Sequence, residues 1–356
     1  MSLVTRAQAP TRTGAERFLA ACRRQPTDAT PVWFMRQAGR SLAGYRELRE
    51  KYPILTLAKT PELCTRITLM PVEELGVDGA VLFADIMLPI EGMGVSLEIQ
   101  PEIGPIIHHP IRSMADVERL RPLEPPEGVP FVLETIKLLR RELADGRAAI
   151  IGFCGAPFTL ACYLVEGRPS RDYTVAKSLM LREPSVWAAL MDRLTDSMIR
   201  YLRAQIEAGA DVVQVFDSWV GALAPDDYER SVLPWMCRLF DALRPSGTPT
   251  ISFGTGNAAL LETIASAGSD LVSVDWRVRL DEAWRRIGYD RGIQGNLDPV
   301  RAVAGWEPAR EGMQRVLAQA AGRPGHIFNL GHGVLPDTDP DVLRRLVDAV
   351  HAETAR

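Results

Sequence analysis

The residues best able to do chemistry in this chain stand just behind short apolar runs: Arg36 and Arg40, Asp85, Asp217 with Ser218, Asp275, and His332, with Tyr163 following another such run. Guanidinium forks match a carboxylate or phosphate at two points, so Arg36 and Arg40 point to an anionic ligand. A carboxylate such as Asp85 accepts inward-facing N–H donors or steadies a developing cation. Each residue alone has a plainer reading. An Asp can cap a helix, Tyr163 can belong to the core, Ser218 can serve a turn, and both arginines can pair with Glu47 or Glu50 at the surface. So many candidates behind successive apolar runs favour function over these separate alternatives.

The segment Pro31-Val32-Trp33-Phe34-Met35-Arg36-Gln37-Ala38-Gly39-Arg40 shows how such residues are carried. Its apolar half suits a short buried strand, and its end is charged. If the backbone stays extended, Arg36, Ala38 and Arg40 share one face, while Gly39 and Gly44 let the chain approach a ligand closely. Further β-rich runs follow at 80–83, 148–153, 212–216, 250–253, 271–274, 292–295 and 327–330, which makes eight in all. Helical stretches alternate with them and open on Thr60-Pro61-Glu62, Pro225-Asp226-Asp227 and Pro340-Asp341-Val342. Alternation implies parallel strands joined by crossovers, and eight strands imply a single (β/α)₈ TIM barrel of α/β class. In such a barrel the strand ends listed above meet at one mouth.

The barrel is expected to occupy residues 14–356 as one domain, preceded by a loose arm over 1–13. Between Pro101 and Pro130 lie seven prolines, which exclude a continuous helix. With the alternating 95–99 segment as a hairpin arm, this reads as an elaborated Pro-rich loop after strand two that walls or covers the mouth.

Composition narrows the function further. A net charge of −4 gives no global field for nucleic acid or an anionic membrane, so any anion site must be local. Only four of the 41 basic residues are lysine, so a single arginine carries less meaning than usual. The five cysteines are scattered without CxxC spacing, which fits a reducing compartment, and neither an export signal nor a membrane span is visible. A cytoplasmic protein is expected. No metal is expected, because the histidines form no HxxxH or His-x-Cys pattern and His108 and His109 decorate a loop. Gly254-Thr255-Gly256-Asn257-Ala258-Ala259, with Asp275 downstream, imitates a dinucleotide fingerprint. It falls on the fifth strand of eight, where glycines simply permit a tight turn, although its backbone N–H groups could face an anionic arm.

Longer stretches carry a resemblance. PVWFMRQAGR at 31–40, TPELCTRITLMPVEELGVDGAVLFADI at 60–86, GFCGAPFTLACYLVEG at 152–167, VFDSW at 215–219 and FNLGHGV at 328–334 resemble the uroporphyrinogen decarboxylase family over roughly residues 14–350. The resemblance implies a barrel enzyme, usually a homodimer, that needs neither metal nor organic cofactor. Its reaction converts the four acetate arms of uroporphyrinogen III to methyl groups, giving coproporphyrinogen III in porphyrin and heme biosynthesis. It implies Asp85, Arg36 and Tyr163 as catalytic residues, and Arg36, Gln37, Arg40, Asp85, Phe153, Tyr163, Ser218 and His332 as substrate-binding residues. Arginines and His332 then suit the anionic rim of the macrocycle, and Asp85 its pyrrole centre. Arg168-Pro169-Ser170-Arg171 departs from the small residues common in the family, so this loop should be stiffer and more basic. The alternatives are a zinc-dependent barrel methyltransferase of the same superfamily, a non-catalytic tetrapyrrole-binding protein and, last, a nicotinamide-dependent oxidoreductase.

Overall fold

Seven of the eight expected runs form one parallel sheet in a computed structural model that describes residues 12–39, 41–100 and 104–356. Its strands are β1 (Gly79–Val81), β4 (Ala149–Gly155), β5 (Val212–Asp217), β6 (Thr250–Gly254), β7 (Leu271–Ser273), β8 (Gly292–Gln294) and β9 (His326–Ile327). Each pairs in parallel with the next, so the order in the sheet is the order in the chain. Helices bridge successive strands and cover them, as parallel crossovers demand. The strands are therefore buried on both faces and run apolar without alternation; all seven residues of β4 are buried.

The eighth run, 32–35, departs from expectation. Val32 makes an isolated parallel bridge to Phe328 instead of a strand ladder. Phe328 N–H donates to Pro31 O at 2.9 Å, and on the other side Asp78 N–H donates to Val32 O at 2.8 Å. Side chains hold the rest. Met35 N–H donates to Asn329 Oδ1 at 3.1 Å, and Trp33 Nε1 to Gln294 Oε1 at 2.9 Å. Gln294 in turn donates to Gln214 and Ser273, forming a fully buried polar layer that ties this segment to β5, β7 and β8.

The entrance ends of the strands share a device. Asp78, Asp211 and Asp270 each stand immediately before a strand and accept an N–H at or near the start of the neighbouring segment: Val32, Ile150 and Thr250 respectively, all at 2.8 Å. These N–H groups lie where the backbone pairing starts, so a carboxylate there satisfies them. Asp78 also binds Arg17 and His351, joining the first and last helices (Gly14–Cys22 and Pro340–Thr354) to the sheet.

After β1 the chain makes an antiparallel hairpin of β2 (Leu97–Gln100) and β3 (Gly104–Ile107), then the helices Met114–Glu118, Pro125–Gly128 and Pro130–Glu142. The prolines at 125 and 130 occupy first-turn positions, where a missing N–H costs nothing. The expected arm over 1–13 lies mostly outside the described residues. Among those residues no helix is long and apolar enough to cross a membrane.

Candidate active site

The chain turns where extended backbone was expected. Met35 to Ala38 form turns, and Arg36 takes φ +58°, a left-handed conformation that costs a side-chain-bearing residue about 1–2 kcal/mol. Neighbouring bonds hold it there: Gln37 N–H reaches Phe34 O at 3.0 Å, and Gly39 N–H reaches Arg36 O at 2.7 Å. Arg36 and Ala38 therefore do not share a face as an extended segment would have arranged. Arg36 is exposed and, among the described residues, its guanidinium makes no hydrogen bond or ion pair, with Glu47 and Glu50 or any other group. Arg40 falls outside the described residues.

Gly331 and Gly333 explain the Gly-His-Gly sequence after β9. A Cβ on Gly333 would stand 2.6 Å from Arg36 Cδ, and one on Gly331 would stand 2.5 Å from the Trp276 nitrogen. The bare backbone on both sides of His332 thus lets the arginine stem and the loop after β7 close around the imidazole. His332 is half-buried, with its ring 6.2 Å from that of Phe253. Burial first, then Arg36, pulls its pKa down to about 4, against an opposing pull from Asp275. At neutral pH it is an uncharged group, so on an anionic rim it would act as a hydrogen-bonding residue and not as a cation.

Asp85 follows β1 and opens the short helix Leu88–Gly92. One oxygen, Oδ1, accepts the Met87 N–H at 2.8 Å; among the described residues the other has no donor. Burial raises its pKa, while the Met87 N–H and the positive field of Arg36 pull it back. Tyr163, on the helix Pro157–Glu166, is pushed up to about 12 by burial and by Asp85, with Arg36 opposing. Asp85, Tyr163 and His332 each lie within electrostatic reach of Arg36, and Tyr163 also within reach of Asp85.

Aromatic rings form the remaining wall. Phe153 meets Phe216 edge-on at 5.3 Å, Phe216 meets Phe253 at 5.7 Å, and Trp219 lies between Tyr163 at 4.0 Å and Tyr173 at 4.7 Å. Phe153 is buried, at 8% exposure. Ser218 sits half-buried in the turn between Asp217 and Trp219. Gln37, in contrast, has no exposed surface: its amide donates to Gly79 O at 2.8 Å and accepts from Phe34 N–H at 3.0 Å. It clips the turn to β1 and offers no free atom to a ligand.

Sequence reasoning missed Phe216, Phe253, Trp219, Tyr173 and Arg277. The first three lie at strand exits and were legible by position; Tyr173, 18 residues after β4, was not. Asp217 is buried and accepts from Thr159 Oγ1 at 2.7 Å, while its Oδ2 has no partner among the described residues. Burial lifts its pKa to about 7. Asp275 behaves otherwise. Its Oδ2 accepts the Gly256 N–H and Arg277 Nη1, both at 2.6 Å, and its Oδ1 the Arg277 N–H. The two halves of the imitation dinucleotide fingerprint therefore bond each other, and the Gly256 N–H is spent within the protein.

A cavity of about 540 Å³ lies at the opposite, entrance end of the sheet, lined by Arg23, Arg24, Asp270 and Arg291 among others. None of the strand-exit residues reaches it. Among the described residues no three His, Cys, Asp or Glu side chains gather to hold a metal ion, which leaves the zinc methyltransferase reading without a ligand set. The Arg168 and Arg171 side chains are exposed, and the loop they occupy is anchored by Ile107 N–H on Gly167 O at 2.7 Å.

Comparison with known proteins then decides the family. The family model described as uroporphyrinogen decarboxylase (URO-D) matches residues 13–353. The chain belongs to the uroporphyrinogen decarboxylase family. It is thereby a carboxy-lyase of porphyrin biosynthesis. A uroporphyrinogen decarboxylase of Streptomyces coelicolor is 54% identical over 349 residues, covering 98% of each chain. One from Sorangium cellulosum is 52% identical over 337 residues, covering 95% of this chain and 96% of that one. Among solved structures, a methyltransferase from Methanosarcina mazei superposes with a TM-score of 0.79 at 22% identity, covering 96% of this chain and 98% of that one. That likeness concerns the fold alone.

Proposed function

We propose that the mouth around Asp85 removes the four acetate carboxyls of uroporphyrinogen III and leaves methyl groups, without metal or organic cofactor. The observation that carries this reading is a half-buried carboxylate with one unclaimed oxygen beside a guanidinium that, among the described residues, has no partner. A porphyrinogen presents pyrrole N–H donors at its centre and carboxylates around its edge. Asp85 accepts from the centre, Arg36 grips the edge, and Tyr163 and Ser218 orient the macrocycle. Phe153 lines the aromatic wall and Arg40 adds to the rim. His332 contributes as a neutral partner, and Gln37 acts by holding the Arg36 turn.

The pyrrole supplies its own electron sink. Protonation of the ring carbon next to the one bearing the acetate makes a cation; loss of CO₂ sends the bonding pair into it and leaves an exocyclic methylene. Protonating that methylene and releasing the ring proton restores the pyrrole with a methyl group. Each acetate thus consumes one proton and releases one CO₂. A carboxylate about 4 Å from the cation, at an effective dielectric of about 20, contributes roughly 4 kcal/mol, about a thousandfold in rate.

Residues 14–356 act as one catalytic domain on this reading. We read the segment 31–35 as the eighth staff of a closed barrel, supported by its bonds to Phe328 on one side and Asp78 on the other. The homodimer rests on the family resemblance, and light scattering tests it. The function itself is tested by incubating the purified, metal-free protein with uroporphyrinogen III under reducing conditions. Products with seven, six, five and four carboxyls are expected in turn; an unchanged octacarboxylate would overturn the reading.

A further inference from the structure

The mouth has fewer positive charges than its residue types advertise, because His332 is neutral at pH 7. A second guanidinium stands beside it. We propose that Arg277 is a further substrate-binding residue, a preset fork that takes one carboxylate arm of the macrocycle; this rests on the decarboxylase reading above.

Three contacts fix Arg277 before any ligand arrives. Nη1 lies 2.6 Å from Oδ2 of Asp275, a residue with no exposed surface, and the Arg277 backbone N–H binds the other oxygen at 2.9 Å. The guanidinium carbon lies 4.2 Å from the centre of the Trp276 ring. Trp276 is itself seated against Gly331, the residue before His332, where no Cβ could fit. Only one edge of the fork is used by Asp275, and half of the Arg277 side chain remains exposed. Arg277 also contributes to the field that lowers His332, so it lies within electrostatic reach of that imidazole, as Arg36 does.

An ordinary surface ion pair explains this less well. Surface pairs place both partners in water and gain little by it. Here the acid is buried and already holds two backbone N–H donors, so Arg277 is not required to satisfy it. What the pair achieves is orientation: the side chain's entropy is spent in advance, and a planar donor edge is left aimed outward. Because Asp275 balances the charge, the gain comes from directed hydrogen bonds, which a lysine cannot reproduce.

Arg277→Gln and Arg277→Lys test this, using steady-state kinetics with uroporphyrinogen III and equilibrium binding of the stable octacarboxylate uroporphyrin I. Arg277→Gln is expected to raise KM and Kd about tenfold with kcat within twofold. Arg277→Lys should recover only part of that loss, with little change in Tm for either. A Kd within twofold of the parent in both variants overturns the proposal. Should the parent bind uroporphyrin but release no CO₂, a weakened Kd in the variants still upholds Arg277 while the decarboxylase reading falls. Should Arg277→Gln unfold, Arg277→Lys decides: weaker binding at unchanged Tm supports the fork, and unchanged binding removes it.

Discussion

The two ends of the sheet treat their carboxylates differently. At the entrance end, Asp78 is bonded to Arg17, Val32 and His351, Asp211 to Ile150 and Arg140, and Asp270 to Thr250 twice. At the exit end, among the described residues, Asp85 and Asp217 each keep an oxygen with no donor, and Arg36 has no hydrogen-bond or ion-pair partner. Carboxylate oxygens shielded from water are nearly always satisfied, so the spare ones on the exit-end carboxylates fit the proposed binding of something other than the protein there. Stability is invested at one end and binding capacity held at the other. Asp275 belongs to the exit end by position and to the entrance end by its bonding, and it passes the spare capacity to Arg277.

Removing an entrance carboxylate should have the largest effect on stability. Asp78→Ala leaves Arg17 buried without one of its partners and frees the Val32 N–H, and should cost about 3–5 kcal/mol. Urea unfolding checks this. A loss below about 1 kcal/mol would erase the contrast between the two ends.

Asp217 sharpens the contrast through pH. The unfolded chain releases its proton near 3.8, whereas the folded protein holds it to about 7. Its favourable contribution is complete below the lower value and is lost as pH rises through the upper one. Asp217→Asn should therefore gain stability over the parent between those values, by on the order of 4 kcal/mol at most. Parallel Tm–pH curves for the two proteins would mean that the carboxyl is satisfied after all.

Arg36→Ala addresses the other side of the comparison. Charge-assisted bonds to a carboxylate arm are worth about 1.5–3 kcal/mol, so kcat/KM should fall by roughly ten- to a hundredfold while Tm stays nearly constant. A lowered Tm with intact kinetics would restore the surface-pairing reading.

Much of this was legible in the sequence because buried parallel strands are short, β-branched and bounded by glycine. Thr250–Gly254 and Gly292–Gln294 were read to within a residue for that reason. The 32–35 segment was not, because its backbone is claimed by Asp78 and Asn329, partners 46 and 294 residues away, and no local pattern announces them. At the candidate site, residue type and position behind a strand picked out Asp85, Arg36 and His332, and the fold puts Asp85 and His332 within the field of Arg36. The charge state of His332 was not legible, since burial and a neighbouring arginine set it and neither is written locally. Gln37 looked like a ligand-facing polar residue because its two backbone partners, Phe34 and Gly79, meet only in the fold. Arg277 was overlooked in a chain where arginine is the habitual surface cation.

The most direct test compares Asp85→Asn with the parent, measuring kcat on uroporphyrinogen III and Tm on the same samples. Loss of the negative charge should lower kcat about a thousandfold, the roughly 4 kcal/mol assigned to it, with Tm unchanged or slightly raised because a carboxylate disfavoured by burial has gone. A variant that turns over at close to the parent's rate would contradict the account at its centre.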